Sequence, residues 1–155
     1  MPFEAWEEQR ARDIIAAHAG TSGATLPILH ALQEAFGCVP EAAVPMIADT
    51  LNLTRAEVHG VLTFYHDFRR APPGRHVLKL CRAEACQAMG ADRLAASAKA
   101  RLGVDWGRTG FDGRLTLDQV FCLGLCATAP AAMIDGKPVG RLNDARLEAL
   151  IEAAQ

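Results

Sequence analysis

The chain has 155 residues, half of them hydrophobic and 22% charged, with a formal net charge of −2. That length buries a core without disulfides. The charge provides no basic field for nucleic acid, and no apolar run reaches the ~18 residues that would cross a bilayer, so direct membrane insertion is not expected.

The N-terminal stretch is acidic and amphipathic and lacks the continuous apolar segment of a secretory signal. Trp6 to His18 carries Ile14 and Ile15 among alanines and stops before Gly20, which predicts a first helix. Thr25 to Phe36 places Leu26, Leu29, Leu32 and Phe36 at three- and four-residue spacing, one face of a second helix ended by Gly37. Pro40 suits the first turn of a third helix through Met46 and Ile47, with Pro45 bending it or delaying its start. Thr54 and Glu57 have the spacing of a capping box, opening a fourth helix through Val58, Val61, Leu62 and Tyr65. Residues 1–70 therefore read as an N-terminal helical bundle.

The pattern changes at Ala71-Pro-Pro-Gly74. His76 to Cys81 alternates as a strand, Ala91 to Leu102 reads as a helix, and Arg114-Leu-Thr-Leu117 starts a second extended run. Ala132-Met-Ile134 and Lys137-Pro-Val139 flank Asp135-Gly136, a favoured two-residue hairpin turn. Asn143 is placed to cap a closing helix to Ala154. The order β-α-β-β-β-α over residues 74–155 predicts an α/β layer fold of the thioredoxin kind, and the whole chain an α+β arrangement.

Four of the five cysteines form two tight pairs, Cys81-x4-Cys86 and Cys122-x3-Cys126. Cys86 is expected at the start of the next helix or just before it, and all four on loops at strand ends. Two close thiolate pairs suit the all-cysteine ligand set of a [2Fe-2S] cluster. A structural zinc accepts the same ligands, although zinc knuckles favour C-x2-C and both spacings here are longer. Disulfide exchange favours C-x-x-C, which is absent, and buried free cysteines are the plain alternative. Gly124, inside the second pair, lets backbone N–H groups approach a sulfur. Ala83, Ala85, Met89, Leu123, Leu125 and Ala127 offer an apolar surround that limits solvent access. Cys38 reads as a packing residue. The five histidines are scattered without a ligand spacing, and no phosphate loop or nucleotide site is found.

Three stretches carry a resemblance: Leu26-Pro-Ile-Leu-His-Ala-Leu-Gln-Glu-Ala-Phe-Gly37 with Val39-Pro40; Val61-x-x-Phe64-Tyr65-x-x-Phe68; and Cys81-x4-Cys86 with Cys122-Leu-Gly-Leu-Cys126 and Ala129-Pro130. Over residues 12–153 the chain resembles the thioredoxin-like [2Fe-2S] subunit of NADH dehydrogenases, the small peripheral subunit type of respiratory complex I. Around Lys79-Leu-Cys-Arg-Ala-Glu-Ala-Cys86 it is most similar to the gamma subunit of soluble NAD-dependent formate dehydrogenase. The resemblance implies one [2Fe-2S] cluster held by Cys81, Cys86, Cys122 and Cys126, and no catalytic residues in this chain. It also implies a partner subunit that binds FMN and NAD(H), and in formate dehydrogenase a molybdenum or tungsten catalytic subunit. The helical half becomes a docking or core-completing element, and the expected location is cytoplasmic. The family often has an acidic residue after the fourth cysteine, where this chain has Ala127.

Overall fold

The computed structural model describes residues 3–154. The chain divides between Pro72 and Pro73 into two compact units.

The first unit holds four helices: α1 (Glu8–His18), α2 (Thr25–Phe36), α3 (Ala43–Leu51) and α4 (Arg55–Phe64). Their apolar positions recur at helical spacing, and the inward faces bury Ile14 and Ile15, Ile28, Leu29 and Leu32, Val44 and Ile47, and Val58 and Leu62 in one core. Both halves of the capping box form: Thr54 accepts from the Glu57 N–H at 3.2 Å and Glu57 accepts from the Thr54 N–H at 2.8 Å. The third helix begins at Ala43 and not at Pro40, because residues 40–42 form a turn first; Pro45 then falls within the first helical turn, where its missing N–H costs little. After α4, Gln33 clamps the chain, donating to the Asp67 carbonyl at 2.9 Å and accepting from the Arg69 N–H at 2.6 Å. Phe68 thereby joins the core, while Phe64 (72% exposed) and Tyr65 face outward.

The second unit is a five-stranded sheet with three helices. In chain order these are β1 (His76–Cys81), α5 (Glu84–Ala88), α6 (Ala91–Leu102), β2 (Arg108–Thr109), β3 (Leu115–Val120), β4 (Ala132–Ile134), β5 (Lys137–Val139) and α7 (Asp144–Ala153). The spatial order is β2-β3-β1-β4-β5. Strand β1 runs parallel to β3 and antiparallel to β4. Leu78, Leu80, Leu115 and Leu117, at alternate positions, share a core with Leu94, Ala95 and Ala98 of α6 and Leu147 and Ile151 of α7. Asp135 and Gly136 both have positive φ (49° and 79°), as a tight twisted hairpin turn demands. Asn143 caps α7 by accepting from the Arg146 N–H at 2.9 Å. Two elements go beyond the sequence expectation: the two-residue strand β2 and the five-residue helix α5.

The fold is the mixed α+β arrangement expected, with helices first and a thioredoxin-like sheet second. Among the described residues no helix is long and apolar enough to cross a membrane.

Candidate metal centre

The two parallel strands bring the cysteine pairs to one end of the sheet. In the β1–β3 register Cys81 lies opposite Val120, so Cys122 follows two residues beyond the level of Cys81. Crevices at the carboxyl ends of parallel strands are where open α/β sheets place their sites. The Cys81 N–H donates to the Ala131 carbonyl at 3.0 Å and the Arg82 N–H to the Val120 carbonyl at 2.8 Å, which fixes the end of β1 between both neighbours.

Cys86 takes the helix-start placement of the two that were expected: it lies in the first turn of α5 and not on a loop, and like Cys81 it is buried at 2% exposure. The short helix forms where the chain turns away from β1; the Gln87 side chain donates to the Arg82 carbonyl at 2.7 Å and closes the segment between the first two cysteines. Cys122 and Cys126 are exposed. Their sulfurs lie 3.6 Å apart, and the Gly124 N–H points at the Cys122 sulfur from 3.3 Å. Cys126 opens the 3₁₀ turn Cys126–Thr128 that leads to the cis Ala129–Pro130 bond.

The pairs also touch each other. Burial pushes the Cys81 thiol up, but the Ala83 N–H, the Cys86 thiol and the N–H groups of Cys122 and Leu123 outweigh it, leaving Cys81 below its ordinary value. Backbone from the second pair thus donates to a sulfur of the first. Burial and the hydrogen bond to Cys81 both raise Cys86, against a lowering contribution from the Ala131 N–H. The hydrogen bond with Cys122, then its charge, raise Cys126. The first negative charge is therefore favoured on Cys81 over Cys86 and Cys126. All five cysteines are free thiols.

This donor set suits a two-iron cluster. Two thiolate pairs at strand ends, with N–H groups aimed at Cys81 and Cys122, match two thiolates per iron and the N–H···S bonds such clusters use.

The apolar surround is narrower than the sequence suggested. Ala83, Leu123 and Leu125 pack with Val120 and Ala129 about Cys81, Cys86, Ala91 and Ala131. Met89 and Ala127 are exposed and add nothing to it, and of the two thiol pairs one is shielded and the other faces solvent. Sequence reasoning also missed the donors of Ala83, Cys122 and Leu123, and the left-handed backbone of Cys122 (φ 88°). Backbone donors leave no residue signature, and a cysteine does not announce positive φ as a glycine does. Cys38 is buried in the first unit, where burial raises its thiol. The histidines serve locally: His18 bonds the Ile14 carbonyl, His30 packs edge-on to Phe68, and His76 pairs with Asp135.

The model of the thioredoxin-like [2Fe-2S] ferredoxin family matches residues 11–155. The E subunit of NADH-quinone oxidoreductase from Pseudomonas aeruginosa is 37% identical over 130 residues, covering 84% of this chain and 78% of that protein. Its Escherichia coli K12 counterpart is 36% identical over 129 residues, covering 83% and 78%. The HndA subunit of the NADP-reducing hydrogenase of Solidesulfovibrio fructosivorans is 32% identical, covering 83% and 75%. The crystal structure of an NAD+-reducing [NiFe]-hydrogenase in the H2-reduced state superposes with a TM-score of 0.68 at 31% identity; the match covers 82% of this chain and only 22% of that one.

Proposed function

This chain belongs to the thioredoxin-like [2Fe-2S] ferredoxin family, and on that premise we propose that it is the electron-transfer subunit of a multisubunit NAD-dependent oxidoreductase, with Cys81, Cys86, Cys122 and Cys126 as cluster ligands. The observation that carries the reading is the meeting of two thiol pairs at the ends of two parallel strands, with Cys122 and Leu123 N–H groups reaching Cys81. A [2Fe-2S] cluster bound there supplies reversible one-electron chemistry.

The chain's own part is to hold and tune. The buried pair, Cys81 and Cys86, anchors one side in an apolar pocket; the exposed pair, Cys122 and Cys126, faces outward, toward where a partner's redox centre would stand. The N–H groups at Cys81 and Cys122 spread negative charge away from sulfur and favour the reduced form. Relatives that are subunits of an NADH-quinone oxidoreductase and of an NADP-reducing hydrogenase support a nicotinamide-linked assembly, in which we place a partner subunit that carries FMN and NAD(H). We place the assembly as formate dehydrogenase, with this chain its gamma subunit beside a molybdenum or tungsten catalytic subunit; the support is the wording of residues 79–86. The equivalent subunit of complex I or of an NAD-linked hydrogenase is the neighbouring assignment. We take residues 1–70 as the docking domain, with Phe64 and Tyr65 outward, and 74–155 as the cluster domain.

The test is low-temperature EPR of the anaerobically purified, dithionite-reduced chain. A spin-half signal with average g below the free-electron value, absent on oxidation, is expected. A silent, colourless protein holding zinc, with no cluster after reconstitution with iron and sulfide, overturns the reading. Co-purification with the molybdenum or tungsten subunit, or with a quinone- or hydrogen-linked one, decides the assembly.

A further inference from the structure

Cys122 and Cys126 are one residue further apart than the spacing that disulfide exchange favours, yet their sulfurs meet. The turn between them explains it. Cys122 and Gly124 both have positive φ, 88° and 74°, and the Thr128 N–H donates to the Leu125 carbonyl at 2.9 Å. The chain curls tightly enough to leave the two sulfurs 3.6 Å apart. A disulfide holds its sulfurs at about 2.05 Å, so closure asks for roughly 1.5 Å of travel. Both side chains face solvent and are free to make that movement.

The other pair is built differently. Cys81 and Cys86 also touch, through a hydrogen bond between their thiols. Both are buried at 2% exposure, with Val120, Leu123 and Leu125 packed about them. The Cys81 N–H is tied to the Ala131 carbonyl, and Cys86 is fixed in α5. Exchange proceeds through a mixed disulfide and needs access to the attacking sulfur. Cys81 takes negative charge more readily, but its burial keeps a small disulfide from reaching it. Cys38 is buried in the other unit.

Resting on the functional reading above, we propose that Cys122 and Cys126 form a thiol–disulfide exchange site for low-molecular-weight disulfides, and that closing it blocks cluster insertion until a dithiol reopens it. One cysteine sulfur displaces half of the incoming disulfide and forms a mixed disulfide; the neighbouring sulfur then displaces the second half. The two cysteine sulfurs give up two electrons in all, the incoming disulfide is reduced to two thiols, and the two cysteine protons leave with them. Two of the four thiolates that a [2Fe-2S] cluster requires are then lost, while Cys81 and Cys86 stay reduced behind their apolar cover.

The experiment takes the full chain, stripped of iron and zinc under reducing conditions, and exposes it to glutathione disulfide. Remaining thiols are alkylated after unfolding, and bridges are mapped by peptide mass spectrometry. Free thiols fall from five to three, the one bridge is Cys122–Cys126, and Cys38, Cys81 and Cys86 are alkylated. When the oxidation is run in urea, the burial that protects Cys81 and Cys86 is lost and they react as well. Iron and sulfide then load the reduced chain but not the bridged one, and dithiothreitol restores loading, read as iron content and visible absorption. A Cys81–Cys86 bridge, a cross-bridge between the pairs, or a native map identical to that in urea overturns the proposal. So does a bridged chain that loads iron as fast as the reduced one. A reduced chain that takes up no cluster overturns the functional reading, and the gate with it; normal cluster assembly in a chain whose Cys122 and Cys126 never bridge overturns this inference alone.

Discussion

Asp135 grips His76 across the sheet. One carboxylate oxygen lies 2.7 Å from the His76 Nδ1, and the other accepts the Val77 N–H at 2.9 Å. The Asp135 N–H also donates to the Val77 carbonyl, at 3.1 Å. The tip of the β4–β5 hairpin is therefore tied to the first residues of β1, the strand whose far end carries Cys81.

This clamp gives stability a defined acid limit. Burial pushes the Asp135 carboxyl up, but the His76 side chain and the Val77 N–H outweigh it and hold it below the ordinary carboxylate value. A depressed carboxyl stabilises the fold above its unfolded pKa, about 4, and the contribution disappears as pH falls through the lower folded value. Asp135→Asn keeps a residue that tolerates the positive φ of the turn. It is therefore expected to lower stability in urea at neutral pH, by a modest amount because the side chain is partly exposed, with the deficit closing below about pH 4. A deficit unchanged through acid refutes the clamp.

Substituting the cysteines one at a time sorts ligands from packing. Serine at Cys81, Cys86, Cys122 or Cys126 is expected to abolish or reshape the reduced EPR signal and lower the iron content. Cys38→Ala, buried in the other unit, leaves the signal intact and costs about 1 kcal/mol of stability. An unchanged spectrum in Cys86→Ser removes that residue from the ligand set.

Much of the fold was legible because it rests on local patterns. The apolar spacing of Leu29, Leu32 and Phe36, the Thr54–Glu57 box and the Asp135-Gly136 turn each carry their own geometry, and each stands where the pattern placed it. Strand β2 was not legible: Arg108 and Thr109 form a strand only by pairing with Leu117 and Thr116, distant partners that no short window reveals. Helix α5 is too brief to show a period. At the site, spacing announced two cysteine pairs, but which pair is buried depends on tertiary neighbours such as Ala131 and Ala91. The donors to Cys81 come from backbone, which every residue has.

The capping box offers a test confined to the helical unit. Thr54→Ala removes the acceptor for the Glu57 N–H and also the hydroxyl that donates to the Glu57 carboxylate at 2.8 Å. Loss of this N-cap is expected to cost about 1 kcal/mol, seen as an earlier chemical-denaturation midpoint with the cluster spectrum unaltered. Thr54→Ser restores most of it, since the hydroxyl is what matters. A spectrum that changes with Thr54→Ala contradicts a purely helical role.

Gly140 bears on the cluster from a distance in sequence. A Cβ built there meets the Thr128 Oγ1 at 2.4 Å, its Cβ at 2.9 Å and its carbonyl oxygen at 3.1 Å. Rotating the Thr128 side chain relieves only the first contact, so the backbone of the 3₁₀ turn that begins with Cys126 must give way. The segment after Gly140 cannot retreat freely: the Arg141 N–H donates to the Thr128 carbonyl at 2.5 Å, the Leu142 N–H to the Pro130 carbonyl at 2.8 Å, and Arg146 holds the Gly140 carbonyl at 2.7 Å. Gly140→Ala is therefore expected to destabilise the second unit by about 1–3 kcal/mol and, by displacing the Cys126 turn, to speed the loss of iron to a chelator. Thr128→Gly in the same chain removes both side-chain contacts and recovers iron retention in part, though glycine loosens the turn itself. Equal chelation rates in the wild type and Gly140→Ala show that the turn absorbs the methyl group without moving Cys126.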